Sequence, residues 1–203
     1  MATDSPTVTR GSGLLEGFLA RQRSRQARKL IPPSSSRGRV LDIGCGSYPL
    51  FLVGSDFAEK FGLDRVPVRL PDELGGAPIK VLEYDVQTAL ELPFPADHFD
   101  VVTMLAVFEH LEPAALQRLL AEIRRVLKPG GTYVLTTPAY WTDWLLKLLG
   151  RLRLVSHEEI DEHQGSYRHA AIRSYLERAG FVGDRISLGY FEAGMNSWGI
   201  ATK

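Results

Sequence analysis

Short apolar runs alternate with longer stretches of helical periodicity along most of this chain. Arg39-Val40-Leu41-Asp42-Ile43-Gly44 reads as a buried strand that runs into a glycine turn. Lys60–Asp64, Ile79–Val86, Phe99–Leu105 and Thr132–Thr137 follow as four further strand candidates. Between the fourth and fifth, Leu116, Leu119, Leu120, Ile123, Val126 and Leu127 recur at helical spacing, with Pro113 suited to the first turn and Gly130-Gly131 as the stop. A second helix is predicted over Tyr167–Ala179, ended by Gly180, and a first over residues 14–31, with Leu14, Leu15, Phe18 and Leu19 as its apolar part and Pro32-Pro33 as its end. The connections 47–59 and 65–78 are short or rich in proline, so irregular helices are expected there. Residues 183–203 hold two strand candidates broken near Gly194-Met195-Asn196, too short for another crossover. Strand and helix in alternation, closed by such a hairpin, predict a mainly parallel sheet with helices on both faces and an antiparallel end.

Length and composition narrow the picture. A chain of 203 residues fits one domain over 1–203, with a loose polar tail at 1–13 and an insertion at 139–166 between the fifth strand and the helix after it. Acidic and basic residues cancel at 24 each, which leaves no global field to attract nucleic acid, and no nucleic-acid partner is expected. Cys45 is the single cysteine, so neither an internal disulfide nor a multi-cysteine zinc site can form. The N-terminal residues lack an apolar signal core and the apolar runs are too short to span a bilayer, which predicts a cytoplasmic protein, peripheral to a membrane at most.

The chemistry concentrates at predicted strand ends. In an open α/β sheet, ligands bind beyond the carboxyl ends of the strands, and glycines there let backbone approach a ligand where a Cβ would clash. Gly44 and Gly46 lie just past the first strand, Asp64 ends the second, and Asp85 ends the third. An acid at the second position can accept hydrogen bonds from both ribose hydroxyls, and one at the third can accept from an adenine amino group. Together with Asp42 they form a row suited to a nucleoside.

The segments VLDIGCGSYP, GLDR, EYDVQTALELPFPADHFDVV, FEHLEP and LKPGGTYVLTTP, in this order, resemble class I methyltransferases dependent on S-adenosylmethionine (SAM), and among them the small-molecule group. The resemblance covers roughly residues 38–138. It implies a Rossmann-like three-layer α/β/α sandwich on a seven-stranded sheet, with SAM as cofactor and S-adenosylhomocysteine (SAH) as product. By position it assigns Asp42, Gly44, Cys45 and Gly46 to the loop on the methionine side and Asp64 to the ribose. Asp85 and the backbone of Val86 fall to the adenine, and Leu105 and Ala106 to the methionine and sulfonium end. Where the family usually has a third small residue this chain has Tyr48-Pro49, which narrows the loop and breaks the GxGxxG pattern of NAD sites.

Methyl transfer from a sulfonium is an in-line displacement in which the protein mainly orients the reactants and excludes water. A hydroxyl acceptor also needs a base, and the candidates are His110, beside Glu109 after the fourth strand, and His163, in the acidic run 158–162. Each has a plainer reading: Glu109-His110 as the start of the next helix, His163 as part of a solvated charged face. His157 with Asp161, or Glu159 with His163, would supply only two ligands each, so no metal is expected. Trp141, Trp144, Leu145, Leu148, Leu149 and Leu152 share one helical face, which suits a helix on the core, a lid, or a contact of 141–152 with a membrane surface. Seven bases and no acid lie between Gly17 and Leu41; a solvated helix paired with 158–162 accounts for them, and so does a phosphate-bearing acceptor. The expected partner is thus a small-molecule, sugar-linked or lipid-linked acceptor. The alternatives are an NAD-dependent oxidoreductase and a non-catalytic SAM-binding regulator.

Overall fold

A computed structural model describes residues 16–35, 37–67, 77–141 and 167–203. Seven strands form one sheet: β1 (Arg39–Ile43), β2 (Glu59–Asp64), β3 (Ile79–Glu83), β4 (Phe99–Leu105), β5 (Leu127–Pro138), β6 (Ile186–Phe191) and β7 (Asn196–Thr202). Their order is β3-β2-β1-β4-β5-β7-β6. The first five run parallel, and β7 inserts antiparallel between β5 and β6. The sheet thus matches the Rossmann-like expectation, hairpin included. Order reverses between β1 and β4, the switch point where open α/β sheets leave a crevice.

Helices cover both faces because the central strands are apolar on both. In β1 and β4, Leu41, Ile43, Val102 and Met104 join a core with helices α3 (Pro113–Val126) and α4 (His169–Arg178). Val40 and Val101 face the opposite side, with α1 (Glu16–Leu30) and the four-residue α2 (Leu50–Val53). Leu116, Leu120 and Ile123 of α3 are wholly buried, each contributing roughly 1.5–3 kcal/mol through removal from water.

The segment Leu92-Pro93-Phe94 has a structural explanation. Leu92 N–H donates to Glu122 at 2.7 Å, and the Arg125 guanidinium donates to the carbonyls of Leu92 and Phe94 at 3.2 and 3.0 Å, which pins the loop to α3. The Phe94 ring then meets Phe99 edge-on at 4.9 Å, and Phe61 meets Phe99 at 5.5 Å.

Helix α1 departs from the expected face. Its buried positions are the small residues Gly17, Ser24 and Ala27, whereas Phe18 is 55% exposed. Small side chains let the helix backbone lie close against the sheet, and that geometry turns Phe18 outward. The third strand also ends earlier than its apolar pattern, at Glu83, so Asp85 sits in the turn beyond it. The expected tail at 1–13, much of the 65–78 connection and the 141–152 face beyond Trp141 lie outside the described residues, as does His163. Among the described residues no helix is long and apolar enough to cross a membrane.

Candidate functional site

Beyond the carboxyl ends of β1, β2 and β3 the structure holds a cleft of about 230 Å³. Gly44, Asp64, Arg65, Asp85, Val86 and His110 line it, together with Leu63, Tyr84, Gln87, Val107 and Leu111. Apolar walls with carboxylates at their edge form a slot suited to a flat heterocycle joined to a hydroxylated sugar.

The glycine turn and the second strand end are built as one unit. Gly44 and Cys45 N–H groups donate to the Leu63 carbonyl at 2.7 and 3.2 Å, and Gly46 N–H donates to Asp64 Oδ2 at 2.7 Å. Val66 N–H donates to the other oxygen of Asp64 at 3.1 Å. Asp64 is therefore buried and fixed by backbone donors, yet it borders the cleft. Gly44 has a left-handed φ of +72°, and a Cβ there would lie 2.3 Å from Val107 Cγ2. Only glycine lets Val107 close over this turn.

Asp85 organises the third strand end. Its carboxylate accepts from Gln87 N–H at 2.9 Å and from the Thr88 hydroxyl at 3.3 Å, an Asx-type turn that presents Val86 to the cleft. The Gln87 side chain accepts in turn from Glu112 N–H at 3.3 Å, which ties this turn to the start of α3.

Asp42 takes a different place. Its carboxyl is buried inside the sheet rather than at the cleft and accepts a 2.6 Å hydrogen bond from the Thr103 hydroxyl. Burial pushes its pKa up to about 7; the Thr103 bond opposes that rise and the nearby Asp64 charge adds to it. Cys45 is also buried, its Sγ packed over Gly62, where a Cβ would come within 2.8 Å. Leu105 ends β4 half-buried, and Ala106 follows with a left-handed φ of +55°, its N–H donating to the Thr136 carbonyl at 2.9 Å. That reversal starts the turn that carries Val107, His110 and Leu111 to the cleft wall.

The neighbours Glu109 and His110 part company. Glu109 is buried, and its charge helps to raise the Tyr167 hydroxyl, whose main cause is burial. His110 lines the cleft. Asp64, Asp85, Val86, Gly44 and His110 thus share one cavity, while Asp42, Cys45, Gly46, Leu105 and Ala106 support it from behind or beside. Arg65, Tyr84, Gln87, Val107 and Leu111 line it without having been anticipated. Adjacency to Asp64 and Asp85 was the one available signal for Arg65, Tyr84 and Gln87, while Val107 and Leu111 read simply as apolar.

A family model described as a methyltransferase domain matches residues 15–185. A methyltransferase of Synechocystis is 35% identical over 113 residues, 52% of this chain and 51% of that protein. The ubiquinone biosynthesis O-methyltransferase of Cereibacter sphaeroides is 38% identical over 118 residues, 54% of this chain and 45% of that protein. The chain thus matches about half the length of these curated relatives. A SAM-dependent methyltransferase structure from Archaeoglobus fulgidus superposes with a TM-score of 0.65 at 19% identity, covering 90% of this chain and 94% of that one, which is agreement in fold. With the family model spanning most of its length and the sheet order and cleft described above, the chain belongs to the methyltransferase-domain family.

Proposed function

We propose that this domain binds SAM in the β1–β3 cleft and transfers its methyl group to an oxygen of a small, hydroxylated aromatic acceptor of the quinone type. The observation that carries the cofactor half is the convergence of Asp64, Asp85 and the Gly44 turn on one apolar-walled slot. Relatives named as ubiquinone biosynthesis O-methyltransferases and demethylmenaquinone methyltransferases support a quinone-type acceptor, and the former name alone supports oxygen as the methylated atom. In this reading Asp64 accepts from the ribose hydroxyls and Asp85 from the adenine amino group, with the Val86 backbone beside it. The Gly44–Gly46 loop gives room to the methionine tail, and Leu105 and Ala106 border the sulfonium end.

SAM supplies an electrophilic methyl carbon, so the protein needs no nucleophile of its own. Its residues supply alignment and a dry wall: Leu63, Val86, Val107 and Leu111 exclude water from the slot. In this reading His110, which lines the cleft, takes the acceptor's proton, with His163 as a second candidate.

Isothermal calorimetry tests the cofactor half directly. SAH should bind with micromolar affinity and NADH should not bind. Asp64→Ala should weaken SAH by ~1–3 kcal/mol, through lost ribose hydrogen bonds and the orphaned Gly46 N–H. Unaltered SAH affinity in that variant, or preferential NADH binding, contradicts the assignment.

A further inference from the structure

We propose that the outer face of α1 is a docking surface for a bilayer rich in anionic phospholipid, separate from the cofactor cleft. Phe18, Arg21, Arg25, Arg28 and Lys29 are all exposed and recur along one side of the helix. No acidic residue occurs between Gly17 and Leu41, although acids and bases balance over the whole chain, so this charge is segregated rather than general. Arg28 donates to the Gly54 carbonyl. Arg21, Arg25 and Lys29 make no hydrogen bond or ion pair with any described residue. Arg23, by contrast, is half-buried, and its charge acts on Glu192.

A cationic stripe that carries a large aromatic ring at one end suits the boundary between headgroups and acyl chains. There the guanidinium groups meet lipid phosphates and the ring leaves water. A nucleic-acid site would instead interleave aromatics with the cations to stack on bases. Orientation supports the same reading. The Arg23 charge acts on Glu192 in the β6–β7 turn, which adjoins the register pair Pro138–Asn196 at the carboxyl end of β5, while Arg28 reaches Gly54 at the other end of the helix. Phe18 therefore lies at the end of α1 nearest the strand ends where the cleft opens. A protein docked through this face would hold that edge close to the lipid, the source of an acceptor carrying an apolar tail. This last consequence rests on the proposed function; the docking itself does not.

The test is co-sedimentation of the full chain with phosphatidylcholine vesicles, with and without phosphatidylglycerol, at low and high salt. Binding should require phosphatidylglycerol and be released by salt. The double variant Arg21→Glu/Arg25→Glu should lower partitioning roughly tenfold or more, and Phe18→Ala several-fold, with melting temperature and SAH affinity retained. Because SAH binding is read on the same samples, failure of docking is distinguishable from failure of the cofactor assignment. Equal binding to neutral vesicles, no binding, or unchanged binding after charge reversal overturns the proposal. So does tighter binding to duplex DNA than to the anionic vesicles.

Discussion

Asp42 offers the sharpest physical test of how this fold carries its glycine turn. Its carboxyl is buried beside another carboxyl, with the Thr103 hydroxyl at 2.6 Å as its hydrogen-bond donor, and its pKa lies at about 7 against an ordinary value of 3.8. A folded-state value above the unfolded one means that folding takes up a proton between those two pH values. Stability from this group is present below about pH 4 and is lost as pH rises through 7. At 1.36 kcal/mol per pKa unit the full loss is about 4 kcal/mol, of which about 3 kcal/mol falls between pH 4.5 and 8. Asp42→Asn keeps an oxygen for the Thr103 hydroxyl and removes the titration. Replacing an oxygen with NH₂ brings its own cost, but that cost does not depend on pH and cancels when two pH values are compared. Urea unfolding of both proteins from pH 4.5 to 8.5 should therefore show the variant gaining on the parent by about 3 kcal/mol toward high pH. Stability differences that stay constant within about 0.5 kcal/mol across that range would refute the reasoning. They would mean that the folded carboxyl is solvated or paired with a cation.

Two further outcomes bear on the cleft. Gly44→Ala places a Cβ 2.3 Å from Val107 Cγ2 at a φ of +72°, and should cost about 2 kcal/mol or more of stability together with most SAH affinity, read by thermal melting and calorimetry; a variant that melts and binds like the parent removes the turn from the site. His110→Ala should retain SAH binding within a few-fold while losing most transfer of tritiated methyl to a hydroxylated aromatic that the parent methylates. Equal transfer by both proteins takes His110 out of the mechanism.

Much of the architecture was legible because it depends on patterns that survive without coordinates. Val40, Leu41 and Ile43 form a run apolar on both faces, which only a strand covered on both sides accommodates. The helical repeat of Leu116, Leu120 and Ile123 needed no tertiary knowledge either. What the pattern missed follows from packing. The apolar look of Phe18 suggested a buried face, but a helix seated on Gly17, Ser24 and Ala27 rotates that ring to solvent. Likewise three acids near strand ends read as one row, whereas the alternation of side chains along β1 points Asp42 into the sheet toward Thr103.

That distinction separates two jobs that one motif performs. In β1 the acid two residues before Gly44 lies within reach of the Asp64 charge, and Asp64 in turn accepts from Gly46 N–H. The path Thr103–Asp42–Asp64–Gly46 therefore couples the interior of the sheet to the loop and to the cleft wall through groups that share charge and hydrogen bonds. A proton on Asp42 relieves repulsion against Asp64, and its loss above neutral pH restores it. An acid chosen for stability alone would not sit there, since an apolar side chain of that size would avoid the desolvation cost altogether. Asp42 therefore carries a desolvation cost in the strand that leads into the glycine turn, and it is at ligand sites that folds accept such compromises.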